Sequence, residues 1–401
     1  MLRFIFLVAI LSVLSISCTY NVAEQYTYRV PEQTDDGLIV GTLNEVRMDS
    51  VPIIKALDRI LAGRYKEVHS LLIYKDGKLV LEEYFSGHRY QWDAPRHQGE
   101  LVNWNRNMRH SIMSDTKSIT SACVGIAVDQ GLIQDVNQSI FDYLPEHQHL
   151  KTRGKSEITI EHLLTMTSGL DGNEWTAPYA SKQNPIVALW FPPCKDPVTC
   201  ILEKPLVSKP STSFSYFGGN MIVLGEIIKH ATGMTIDAFS EKYLFAPLGV
   251  DSADWSLRFE NGVIEAAGGL QLTPRDMIKV GATFLNRGLW KESQIISEQW
   301  IEKCATPYGG NTGIKIPGED SGRKGYAYSW WTNQLSHSGR SLDVFYAGGW
   351  GGQKIVIIPE MSTVVVFTGG NYLTETQELR IINKYIIPAM NQQKSREFGK
   401  E

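Results

Sequence analysis

Runs that read as β-strands lie near both ends of this 401-residue chain, and helical patterns fill the stretch between them. Early on, HSLLIYKDGKLVLEEYFSG places two strand-like runs either side of Lys75-Asp76-Gly77-Lys78. Asp-Gly is a strong hairpin signal, because both residues tolerate positive φ. Late in the chain, Tyr326 to Thr332, Asp343 to Ala347, Gln353 to Ile358 and Thr363 to Thr368 are short strand-like runs separated by turns. An amphipathic helix is predicted after them, at 375–390. In the middle, apolar residues recur at helical spacing over 117–130, 160–167, 219–231, 236–243 and 274–287. Strands split between the two ends must pair with each other to bury a common face. The pattern therefore predicts an α/β (α+β) fold, with an antiparallel sheet formed from both chain ends, helices flanking it and a mostly helical lobe inserted between. The sheet lobe is expected over 65–110 and 320–390, and the helical lobe over 111–319. Residues 19–64 read as an arm and a first helix, with Ser50 as N-cap and Pro52 in its first turn. The polar, aromatic stretch 88–110 reads as loop, and 391–401 as a tail.

Composition narrows the function classes. Net charge is −4, with 43% hydrophobic and 20% charged residues and no Lys/Arg run, so no nucleic-acid footprint is present. Gly 35 and Pro 17 exclude a collagen-like chain, and five cysteines are too few for a disulfide scaffold. Residues 1–18, MLRFIFLVAILSVLSISC, have a basic n-region and an apolar run too short to span a bilayer. They fit a signal peptide, and the approach to Cys18 resembles the lipobox of bacterial lipoproteins, with Cys18 as the lipidated residue. The chain is thus expected in the cell envelope, as an anchored lipoprotein or as a secreted or periplasmic protein. Membrane contact is expected only through that anchor. Export permits a bridge between Cys194 and Cys200 in FPPCKDPVTC, whereas Cys123 and Cys304 read as buried thiols.

The chemistry begins in RHSIMSDTKSITSACVGIAVDQG. Ile119, Ala122, Cys123, Ile126 and Ala127 make a helix whose N-terminus falls at Ser114. Lys117 lies one turn on, on the same face. A serine hydroxyl needs a base to take its proton, and a lysine serves as that base when burial lowers its pKa. The positive end of the helix favours a developing alkoxide. Alone, such a pair is more often an N-cap serine beside a solvated lysine.

Two further segments add weight: FSYFGGNMIVLGEIIKHATG, with Tyr216 just before a helix, and FYAGGWGGQKIVIIP, a glycine-rich turn leading into a strand. In this order the three segments resemble the β-lactamase and penicillin-binding-protein superfamily of serine hydrolases. The likeness is to its class C-like branch, with esterases and 6-aminohexanoate-oligomer hydrolases, over roughly residues 65 to 385. The resemblance implies a β-lactamase/D,D-peptidase-like fold and an acyl-enzyme on Ser114. Lys117 and Tyr216 would share the proton transfers, and the backbone N–H groups of Ser114 and Trp350 would form the oxyanion hole. Ala347-Gly348-Gly349 align with the family's third element, usually Lys-Thr-Gly or His-x-Gly. Gly218 stands where Tyr-x-Asn has its asparagine, with Asn220 two residues on. The lost lysine normally holds a substrate carboxylate. Its loss points to an ester or linear amide ahead of a β-lactam or D,D-peptide, with a non-catalytic envelope binding protein as a further alternative. No cofactor or metal is implied, and the partner is a small-molecule ester or amide. His147-Gln-His149 reads as solvated loop, Trp330 and Trp331 as strand-packing aromatics, and His162 and Ser168 as supports of the site.

Overall fold

A computed structural model describes residues 26–319, 322–337 and 339–390. The predicted signal peptide, the lipidation site Cys18 and the tail 391–401 lie outside the described residues.

Helix α1 covers Ser50–Leu61 and is capped by Asp49, whose carboxylate accepts from the Val51 N–H. The expected cap, Ser50, is instead the first helical residue. Strands β1 (Val68–Lys75) and β2 (Lys78–Tyr84) form the predicted hairpin. Asp76 and Gly77 at its tip take φ of +49° and +83°. The stretch expected to be loop contains a second hairpin, β3 (Ser86–Tyr90) and β4 (Gln98–Asn103). Its strands lack a buried apolar face, so no alternation betrays them in the sequence.

Next come β5 (His110–Ser111) and α2 (Asp115–Asp129), then a short helix at Ile160–Leu164 and α3 (Gly219–Thr232). Strand β6 (Gln271–Leu272) pairs with β5, α4 spans Pro274–Leu285, and β7 (Leu289–Trp290) pairs with β8 (Ser293–Gln294). The C-terminal third supplies β9 (Gly325–Tyr326), β10 (Trp331–His337), β11 (Arg340–Gly349), β12 (Gln353–Ile358) and β13 (Thr363–Gly369). The run 326–332, which reads as one strand, is cut in two. Ser329 adopts φ +60° there and its N–H bonds to the Leu164 carbonyl. A helical run α5 over 378–390 ends the described chain.

Seven strands form one antiparallel sheet in the order β2-β1-β13-β12-β11-β10-β9. Both chain ends therefore build it, with β1 joined to β13. Every residue of β1, β12 and β13 is buried, so both sheet faces are covered. Helix α4, from the middle of the chain, packs on β1, β12 and β13, and α1 packs with α5. Gly281 of α4 marks that contact, since a Cβ there would lie 2.5 Å from a Val364 methyl.

Helix α2 runs through the interior, with Asp115 to Ala127 all buried. Three of its hydroxyl side chains survive burial because carbonyls from neighbouring segments receive them. Ser118 donates to Ser329 O, Ser121 to Tyr328 O and Thr120 to Ala266 O. These bonds fix the helix, and with it the residue at its N-terminus, against 266–267 and 328–329. Cys194 and Cys200 are disulfide-bonded with Cα atoms 6.0 Å apart, and Cys123 and Cys304 are buried free thiols.

Candidate active site

Ser114 sits at the N-cap of α2 without using its side chain as a cap. The preceding Met113 takes φ +49°, an unfavourable left-handed conformation for a methionine that turns the chain abruptly into the helix. The free Ser114 Oγ accepts a hydrogen bond from Lys117 Nζ at 2.9 Å. Lys117 Nζ also donates to Ala267 O at 3.0 Å and lies 4.9 Å from the centre of the Tyr216 ring. Burial pulls the Lys117 ammonium below the ordinary lysine range, opposed by the charges of Glu174 and Glu265, and by Asp115 once it ionises. Burial pushes the Tyr216 phenol well up, and the Glu174 charge pushes it further, while a hydrogen bond with Ser114 pulls back. The site therefore pairs a lysine made more willing to be neutral with a tyrosine held as a neutral phenol.

The glycine-rich element lies at the C-terminal end of β11. This strand is interior to the sheet, but its pairing with β10 stops at Tyr346. Ala347, Gly348 and Gly349 pair only with Ile355, Lys354 and Gln353 of β12, which leaves a short free edge on the side of β10. Gly349 is required by the segment leading to Ser114, because a Cβ there would lie 2.3 Å from Ile112 O. Among the described residues, the backbone N–H groups of Ser114 and Trp350 have no protein acceptor. They remain available to an oxyanion.

Ser114 opens on two chambers. The first, about 370 Å³, is walled by Ile186, Val187, Trp190, Phe191 and Leu257, with Met113, Lys117, Glu174 and Glu265 toward its floor. The second, about 570 Å³, is lined by Tyr216, Trp331, Gly348, Gly349, Glu319 and Lys354. Trp350, Glu174 and Tyr179 border both.

Three carboxyls near the site are invisible to motif reasoning. Glu174, buried, accepts from the Gly218 N–H through Oε1 and from the Tyr179 hydroxyl through Oε2 at 2.7 Å. Glu265 accepts from the Ala267 N–H at 3.0 Å, and burial raises its pKa. Asp115, the residue after Ser114, is fully buried with neither carboxyl oxygen hydrogen-bonded. Burial pushes its pKa up to about 8, against the pull of Lys354. Only its place on an otherwise buried helix could have signalled it.

The structure does not bring every expected residue to a chamber wall. Ala347 is wholly buried and lines neither chamber. Asn220 is also wholly buried, and its Oδ1 accepts from Ser168 Oγ at 3.0 Å. It therefore does not stand in for the missing asparagine. Gly218 contributes its N–H to Glu174, and no wall. Trp331 lines the second chamber while Trp330 belongs to the core. His162 closes a capping box with Thr159. His147 pairs with Asp196, and among the described residues no group of side chains is arranged to hold a metal ion.

Comparison with known proteins follows the same lines. The family model described as Beta-lactamase matches residues 57–380. A 6-aminohexanoate-dimer hydrolase of Paenarthrobacter ureafaciens is 25% identical over 265 residues, covering 64% of this chain and 65% of its own length. The chain thus spans just under two thirds of that relative. An octameric penicillin-binding protein homologue from Pyrococcus abyssi superposes with a TM-score of 0.62 at 20% identity, over 84% of this chain and 76% of that one. A family VIII carboxylesterase superposes with a TM-score of 0.63 at 18% identity, over 88% and 98%. At these identities the two structures share a fold with this chain.

Proposed function

The chain belongs to the beta-lactamase family of serine hydrolases, and from that premise we propose that it cleaves a carboxylic ester or linear amide through an acyl-enzyme on Ser114. The contact of Lys117 Nζ with Ser114 Oγ at 2.9 Å carries this reading.

The two buried groups divide the work. Neutral Lys117 takes the Ser114 Oγ proton as Oγ bonds to the substrate carbonyl carbon. The N–H groups of Ser114 and Trp350 receive the negative charge that develops on the carbonyl oxygen. The bond to the leaving oxygen or nitrogen then breaks, and the proton reaches that atom by way of the Tyr216 hydroxyl. Tyrosinate is disfavoured there by burial and by Glu174, so Tyr216 acts as a proton-passing phenol and Lys117 as the base. Water attacks the acyl carbon and yields a proton to Lys117. The Oγ–carbon bond breaks, and Oγ is reprotonated. No step calls for a cofactor.

The choice of ester or linear amide over β-lactam rests on charge. Ala347 replaces the lysine that holds a carboxylate in relatives. Lys354, across from Gly348 on β12, puts an ammonium in the second chamber, but Glu319 Oε1 holds it at 2.5 Å. A substrate carboxylate arriving there meets a neutralised pair. Lys354 is also the observation that favours the second reading, a β-lactamase or D,D-peptidase, should Glu319 move aside. Turnover of p-nitrophenyl butyrate and nitrocefin by wild type and Ser114→Ala separates the two. Ser114-dependent ester turnover well above nitrocefin turnover supports the first reading, and the reverse order supports the second.

Export to the envelope, with Cys18 as lipid anchor, is part of the proposal. The Cys194–Cys200 bridge supports it, because such bridges persist in oxidising compartments. Loss of metabolic palmitate labelling in Cys18→Ala tests it. Among the described residues, no helix is long and apolar enough to cross a membrane.

A further inference from the structure

The two chambers that meet at Ser114 differ in character, and that difference speaks to what is cleaved. We infer that the first chamber holds the acyl half of the substrate, that this half is a bulky uncharged apolar group, and that the leaving group occupies the second. This rests on the hydrolase reading above.

Direction comes from the proton. The departing atom must be protonated as its bond breaks, so it must lie on the side of the proton donor. Tyr216 borders the second chamber and not the first. The leaving group therefore points to the second chamber, and the acyl group to the first.

Chemical class comes from the walls. Ile186, Val187, Trp190, Phe191 and Leu257 present hydrocarbon and aromatic surface. The acids at the floor are already engaged, Glu174 by Gly218 and Tyr179 and Glu265 by Ala267. Lys117, among the described residues the one cationic side chain bordering this chamber, is committed to Ser114 Oγ and Ala267 O. An anionic acyl group would lose its water and gain carboxyl neighbours, which is strongly unfavourable. The space, about 370 Å³, lies in the range of small-molecule pockets and exceeds what an acetyl group fills.

The mouth supports the same occupant. Trp92, Trp190 and Leu257, which all line this chamber, are 39%, 37% and 45% exposed, large apolar side chains left in water. Such a cluster beside a reactive centre marks a binding surface. The second chamber carries more polar groups, Glu319, Lys354, Asn371, Glu375 and Thr376 among them, beside Trp175, Trp331, Trp350 and Leu373.

The test is an acyl series, p-nitrophenyl acetate, butyrate, octanoate and phenylacetate, run on wild type, Trp190→Ala and Leu257→Lys. Both substituted side chains sit at the solvent-facing mouth, and circular dichroism checks each fold. Wild type is expected to favour octanoate or phenylacetate over acetate in kcat/KM by about ten-fold or more. Leu257→Lys and Trp190→Ala are each expected to shrink that ratio, mainly through KM for the bulky substrates. A ratio near one in wild type, or one that both variants leave intact, overturns the assignment while Ser114-dependent turnover of acetate keeps the hydrolase reading standing. If Ser114→Ala matches wild type on every ester, the hydrolase reading falls first and the acyl assignment with it.

Discussion

Glu174 occupies the space that a side chain at Gly218 would fill. Its Oε1 accepts from the Gly218 N–H, and a Cβ on Gly218 would lie 2.7 Å from that oxygen and 2.9 Å from the Ala267 methyl. The position at which the family resemblance places an asparagine is thus filled by a residue 44 positions away in sequence. What replaces the amide is a carboxyl group.

That exchange predicts a pH effect. The Glu174 charge raises the pKa of Lys117, so it favours the ammonium over the amine that the proposed mechanism uses as base. Glu174→Gln removes that influence. The rise of kcat/KM with pH, which reports the neutral lysine, should therefore move to lower pH than in wild type. A profile that stays in place, or moves to higher pH, contradicts the arrangement.

Gly218→Ala should be costly and rescuable. The new methyl meets Glu174 and Ala267 in a packed interior, for a loss of about 1–3 kcal/mol in denaturant unfolding and a matching loss of turnover. Glu174→Ala opens the space again, so the double variant should be more stable than the sum of the single losses. Additive losses would show that the two residues do not compete for one space.

Asp115→Asn should stabilise the protein, increasingly so as pH rises. Burial raises the folded-state pKa to about 8 from an ordinary 3.8. A carboxyl raised in this way holds its proton in the folded state while the unfolded chain releases it. Stability therefore falls as pH climbs through that window, and an amide escapes the penalty. The expected gain at pH 7 is about 1–3 kcal/mol, vanishing near pH 4. A loss of stability across pH 4 to 8 would contradict it.

Much of this was legible in the sequence, and the exceptions have physical causes. The Asp-Gly hairpin and the late strands announced a sheet built from both chain ends, because alternation and turn chemistry are local signals. Ser114, Lys117 and Tyr216 were legible as segments in a fixed order. The β3–β4 hairpin was not, since strands without a buried apolar face leave no period. The break at Ser329 was hidden as well, because the Leu164 carbonyl that holds its N–H is far away in the chain. Glu174, Glu265 and the true place of Asn220 depend on tertiary packing, and no window of neighbouring residues contains them. Gly349 shows the reverse case, a glycine visible in the motif whose packing reason, the approach of Ile112 O, is visible only in the fold.

The central claim is that Ser114 is the acylated nucleophile. Incubation of the native protein with a fluorophosphonate, followed by intact mass and peptide mapping, tests it directly. The account predicts one adduct per chain, on the peptide bearing Ser114, lost in Ser114→Ala and slowed by about 10³-fold or more in Lys117→Ala. A folded wild-type protein that takes up no label, or takes it up elsewhere, would contradict the account.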